Sequence, residues 1–367
     1  MHLKVERIEL LNGLTKVQTV VEKKSTMPII SNVLLEASEK QLNLIATDLE
    51  VALKITVPAH VDEPGNITVS ARKLYEIIRE IPNPEIELAE TEGSRIRILS
   101  GKIVYNLIGL PAEQFPALPV HEDMKEMAID SESLLELINK TIFSVSLEDT
   151  RFNLTGINIE RVEDKLRMVS SDGHRLSLME LTVPGVNKLD LDSAVLLPRK
   201  GAREILKLCE NQKEIRIGFK EKLCMARSEG IKILTRLIDG EFPDYKEIIS
   251  TGVGREAVAD RRSLLETLRR TAILATDKYK AVSLNFDEDK LELISVNPDL
   301  GDAKEELELE YKGEAFSINF NMHYLIHVLE VVRSEKVILQ MENESSPCII
   351  RGNEDQGFLG IVMPMRI

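Results

Sequence analysis

Three stretches of the chain carry one pattern: QLNLIATDLEVALKITVP from Gln41, KLRMVSSDGHRLSLMELTVP from Lys165 and KLELISVNPDLGDAKEELEL from Lys290. Each alternates apolar and polar residues, breaks at a turn rich in Asp, Asn, Gly or Pro, and alternates again, which predicts a β-hairpin. Leu42, Leu166 and Leu291 hold the same place in the pattern, about 125 residues apart. A period this long exceeds any solenoid repeat, so each copy is expected to be a domain with its own core.

Two helical stripes recur in phase with the hairpins. Leu10, Leu11 and Leu14 are matched by Leu134, Leu135 and Ile138, then by Leu264, Leu265 and Leu268. Asp130 and Asp260 stand where N-caps of the second and third copies belong. The next stripe is Leu74, Ile77, Ile78 and Ile81, then Ala202, Ile205, Leu206 and Cys209, then Leu325, Val328, Leu329 and Val332. This i, i+3, i+4, i+7 spacing gives one buried face per helix. The expected architecture is α+β: three similar domains, 1–119, 120–250 and 251–367, each with two helices packed on antiparallel sheets. The first two copies run on through EQFPAL and GEFPDY, while the third reaches the matching point at Met363-Pro364. The stretch FLGIVMPMRI then reads as the third copy's last strand followed by a few apolar residues that a strand does not need.

The polar faces of several helices are basic although the formal charge of the whole is −14. Arg199, Lys200, Arg203 and Lys207 face Glu204 alone, and Arg261, Arg262, Arg269 and Arg270 face Asp260 and Glu266. Arg72, Lys73 and Arg79 outnumber Glu76 and Glu80, and Lys23 and Lys24 are expected to end the first helix. Any one such face could be an ordinary solvated surface. Its recurrence across copies suits phosphates held without base readout.

Catalytic signatures fail: GxxxxGK[ST], GxGxxG after a strand, HExxH and GxSxG are all missing. His174 beside Asp172 could be oriented as a base, but Asp172-Gly173 reads better as a hairpin turn with His174 and Arg175 opening the return strand. Cys209, Cys224 and Cys348 have no metal-ligand spacing, which points to a reducing cytoplasm and to no metal or cofactor. No apolar run approaches the length of a membrane span.

With TDLE, SDGHRL, DGEFPDY and VMPMRI in three copies over its whole length, the chain resembles the bacterial sliding clamp family, the β subunit of DNA polymerase III. The resemblance implies a head-to-tail homodimeric ring with helices around a central hole for double-stranded DNA and sheets outside. It implies processivity without catalysis. It also implies a cleft for short peptides of the replicative polymerase, clamp loader, other polymerases, mismatch-repair proteins and DNA ligase. Matching cleft positions in the middle copy are Leu154, Ser171, Gly173, His174, Arg175, Leu176, Pro243 and Ile248. In the third copy they are Asn321, Tyr324, Val362, Met363, Pro364, Met365 and Arg366. DNA positions are Lys24, Arg72, Lys73, Arg151, Phe152, Lys200 and Arg203; Leu107 on one subunit would meet Ile273 and Leu274 on the other.

Overall fold

The computed structural model describes residues 1–21, 27–119, 123–147, 149–191, 193–210, 212–249 and 254–366. Its helices are α1 (Arg7–Val17), α2 (Ala71–Glu80), α3 (Ser131–Ile142), α4 (Arg199–Cys209), the single turn α5 (Lys246–Ile249), α6 (Arg261–Thr271) and α7 (Met322–Val331). The expected stripes are the buried faces: Leu10, Leu14 and Val17 on α1, Leu74 and Ile78 on α2, Leu325, Val328 and Leu329 on α7. Capping follows the chemistry of short polar side chains. The Asp260 carboxylate accepts from the Ser263 amide at 2.7 Å, and Ser70 accepts from Lys73. Helix α1 closes at Val17, so Lys23 and Lys24 do not form its last turn; both lie outside the described residues.

The three hairpins are present: Gln41–Thr47 with Val51–Pro58, Lys165–Ser171 with Arg175–Thr182, and Lys290–Asn297 with Gly301–Glu308. Contacts nevertheless group the chain into two compact units that divide the middle copy. The first holds 1–132, 187–190 and 200–237; the second holds 133–186, 191–199 and 238–367.

A thirteen-stranded sheet spans the first unit. It continues across a copy boundary because Ile231–Arg236 pairs antiparallel with Val51–Pro58, placing Leu234 opposite Ala52. Gly13 of α1 lies so near this sheet that a Cβ would stand 2.5 Å from Leu44 Cδ1. The second unit has a nine-stranded and a four-stranded sheet. In the larger, Arg175–Thr182 pairs with Phe358–Val362, so that Leu176 faces Ile361 and Arg175 faces Val362. The third hairpin's return strand, Gly301–Glu308, is instead an edge of the four-stranded sheet. The corresponding strands of copies one and two each pair with the next copy.

Candidate peptide cleft and basic helix faces

The turn at Asp172-Gly173 sets the geometry of the cleft. Asp172 Oδ1 accepts from the amides of His174 and Arg175, each at 3.0 Å, while Ser171 Oγ accepts from Gly173 at 3.0 Å and donates to the Arg175 carbonyl at 2.7 Å. Gly173 takes φ +87°, a conformation that excludes most side chains. The Met363 amide donates to the His174 carbonyl at 2.9 Å, extending the ladder one residue past Val362.

Strand parity sorts the side chains. Leu176 and Ile361 lie on the sheet face with Val169, Leu178, Leu359 and Tyr245. The opposite face meets α7, since a Cβ on Gly360 would lie 2.5 Å from Val328 Cγ1. Val362 points that way and is fully buried. Over the first face lie Phe242, Pro243 and α5, the last started by Asp244 Oδ1 accepting from the Lys246 amide at 3.0 Å. The result is an apolar pocket of about 340 Å³. Tyr245 is pinned beneath it: its hydroxyl donates to Glu160 and accepts from Arg167. Burial, then the Glu160 bond, pushes that phenol up to about 12, so it stays neutral.

Of the expected cleft residues, Leu154, Ser171, Gly173, Arg175, Leu176, Pro243, Ile248 and Met363 line this pocket. His174 contributes its carbonyl and leaves its side chain exposed. Asn321 caps α7, accepting from the His323 amide at 3.1 Å. Tyr324 stacks on the Arg175 guanidinium, 4.5 Å away. Pro364, Met365 and Arg366 lie outside the pocket lining, and the Met365 amide donates to the Asn319 carbonyl at 2.7 Å. Arg151, one of the residues expected at DNA, also lines the pocket, its guanidinium against Gly173. Phe242, Tyr245 and Ile361 also line it and were missed as cleft residues. Strand alternation distinguishes Ile361 from Val362, and the repeated Phe-Pro of EQFPAL and GEFPDY marks the covering loop.

Most of the basic helix residues are exposed, with Arg199, Lys200 and Arg261 half-buried, and several are paired. Arg72 and Lys73 share Glu76, each at 2.8 Å, and those two hydrogen bonds hold its carboxyl down at about 2. Arg262 pairs with Glu266 and Arg270 with Glu305. Lys200 contacts the carboxylate of Asp48. Arg203 is exposed, and Phe152 is 57% exposed. Ile273 is 76% exposed and Leu274 half-buried; beside the half-buried Leu107, Ile108 is 76% exposed. Among the described residues no group of His, Cys, Asp and Glu could hold a metal, and no helix is long and apolar enough to cross a membrane. The cysteines are unpaired and buried, with burial pushing the thiols of Cys209 and Cys224 up to about 12.

Copies of one helix-and-hairpin unit welded edge to edge, with a peptide-sized cleft at a copy boundary, define a clamp-type repeat protein. Three family profiles match in succession: the DNA polymerase III beta subunit N-terminal domain over 1–119, its central domain over 128–244 and its C-terminal domain over 246–366. The beta sliding clamps of Pseudomonas putida and Caulobacter vibrioides are each 34% identical, with both chains fully covered. The crystal structure of the Pseudomonas aeruginosa DNA polymerase III subunit beta superposes with TM-score 0.94 at 34% identity, again covering all of both chains. A Bartonella birtlesii sliding clamp bound to griselimycin gives TM-score 0.94 at 32% identity over the same full coverage. The chain belongs to the DNA polymerase III beta subunit family, the bacterial DNA sliding clamps.

Proposed function

We propose that this chain, as a DNA sliding clamp, closes into a head-to-tail homodimeric ring around duplex DNA and tethers replication and repair proteins through the cleft. It does so in the cytoplasm and without catalysis of its own. Its domains are taken as 1–119, 120–250 and 251–367. The cleft carries the reading: an apolar pocket of about 340 Å³ lined by Leu154, Leu176, Phe242, Pro243 and Ile361 suits a short extended peptide. Met363 at the rim repacks readily, which suits several partners in turn. Those partners are the replicative polymerase, the clamp loader, other polymerases, mismatch-repair proteins and DNA ligase.

Ring closure draws support from the repeat pattern. Val51–Pro58 and Arg175–Thr182 each pair with the next copy's last strand, and Gly301–Glu308 has that side open. Its counterpart is Ile103–Leu110 of a second chain, carrying Leu107 and Ile108, with Ile273 and Leu274 packing alongside. Arg72, Lys73, Lys200, Arg203, Arg151, Phe152 and Lys24 are assigned to weak phosphate contact, which permits sliding because no base is read.

The test is fluorescence anisotropy of a labelled Gln-Leu-Ser-Leu-Phe peptide, titrated with the intact chain and with a variant ending at Val362. Saturable binding lost on truncation supports the cleft reading. Equal binding by both forms removes Met363 to Ile367 from the site, and no binding by either sinks the peptide-cleft account.

A further inference from the structure

The copy boundary within the first unit has a groove of its own. Phe115-Pro116 corresponds to Phe242-Pro243, and Leu234 faces Ala52 as Ile361 faces Leu176. Phe115 packs on Leu34 and Ile45, and Leu118 packs beside Leu234, on the sheet face opposite the one that meets Gly13 of α1. The hollow between this segment and the sheet is about 580 Å³, against about 340 Å³ in the cleft. Ala52 in place of a leucine widens the floor.

Basic side chains line up across the strands of this groove. Lys54 stands directly opposite Lys232 on the next strand, Lys232 opposite Arg227, and Arg227 opposite Arg216. Like charges directly opposed across strands are unfavourable unless compensated. Glu126 compensates one end, 2.8 Å from Arg227 and 4.0 Å from Arg216. At the other end Glu36 reaches only 4.0 Å from Lys54, and among the described residues no carboxylate pairs with Lys232. The uncompensated positive charge therefore sits on the wall of an open apolar hollow in a chain of net charge −14.

We propose that this groove is a second docking site, taking a short acidic peptide segment of a partner protein. Its apolar side chains would fill the floor of Leu34, Ile45 and Leu234 while its carboxylates neutralise Lys54 and Lys232. The occupant differs in charge from a cleft peptide, so one partner could hold both grooves or two partners one each.

A labelled Asp-Asp-Leu-Leu-Phe peptide titrated against the full chain tests this. The expected result is saturable binding that survives excess unlabelled Gln-Leu-Ser-Leu-Phe, is kept by Lys232→Arg, and is absent for Lys-Lys-Leu-Leu-Phe. Lys232→Glu, confirmed folded by circular dichroism, should weaken it by about tenfold or more. Displacement by the cleft peptide would place the acidic peptide in the cleft and overturn the proposal. So would unchanged affinity in Lys232→Glu or failure to saturate. Displacement by oligothymidylate would assign the lysines to nucleic acid instead.

Discussion

Arg175 is buried, and its guanidinium is committed within the fold. It pairs with Asp172 at 3.0 Å, donates to the Phe143 carbonyl at 2.5 Å, meets His327 Nδ1 at 2.7 Å and lies over the rings of Tyr324 and Phe143. The residue fixes the cleft wall by holding the hairpin onto α7. His327 can accept from Arg175 only while neutral. Burial first, then the charge of Arg175, lowers its pKa below the ordinary 6.5, against the opposing pull of Glu330 and Asp172; His323 adds to the lowering. The unfolded chain therefore binds the proton more readily, and stability tied to His327 is complete above 6.5 and falls as pH drops below it. Urea midpoints taken from neutral pH down to about 5 should decline in the native chain. His327→Gln should flatten that part of the profile, and an unchanged slope would remove His327 as its source.

The strand Phe358–Val362 meets helix α7 at Gly360, where Val328 leaves no room for a Cβ. Gly360→Val should cost about 1–3 kcal/mol through overpacking. Thermal unfolding would register the loss, and Val328→Ala in the same chain should recover part of it. Hairpins, helix stripes and the Asp260 cap were legible in the sequence because each follows from local periodicity or a local hydrogen bond. The cleft was legible only in part. Leu176, Pro243 and Ile248 came through the family resemblance, whereas Ile361 for Val362 needed the strand's parity. Arg151 needed its distance to Gly173, and the roles of Asn321 and Tyr324 needed tertiary contacts. Nothing in local pattern could show that the middle copy would be divided between two packed units.

Exposed basic residues and the apolar side chains assigned to ring closure, Leu107, Ile108, Ile273 and Leu274, respond differently to salt. Phosphate contacts by residues as open as Arg72 are screened as ionic strength rises, while apolar burial is not. Loaded on nicked circular DNA, the protein should therefore persist at high salt and be lost when the circle is cut. Equal loss from circles and linear DNA would contradict topological retention.

The strand joints have a consequence for how the chain melts. Main-chain hydrogen bonds cross both copy boundaries, so the repeated stretch of sequence and the cooperative folding unit do not coincide. Native-state hydrogen exchange should resolve two protected blocks in place of three, with amides of Ile231–Arg236 opening with Val51–Pro58 and not with Lys165–Ser171. Cutting out the middle copy alone would bare Ile231–Arg236 and Arg175–Thr182 as raw edges, and such a fragment should self-associate through these two strands, which the whole chain keeps paired.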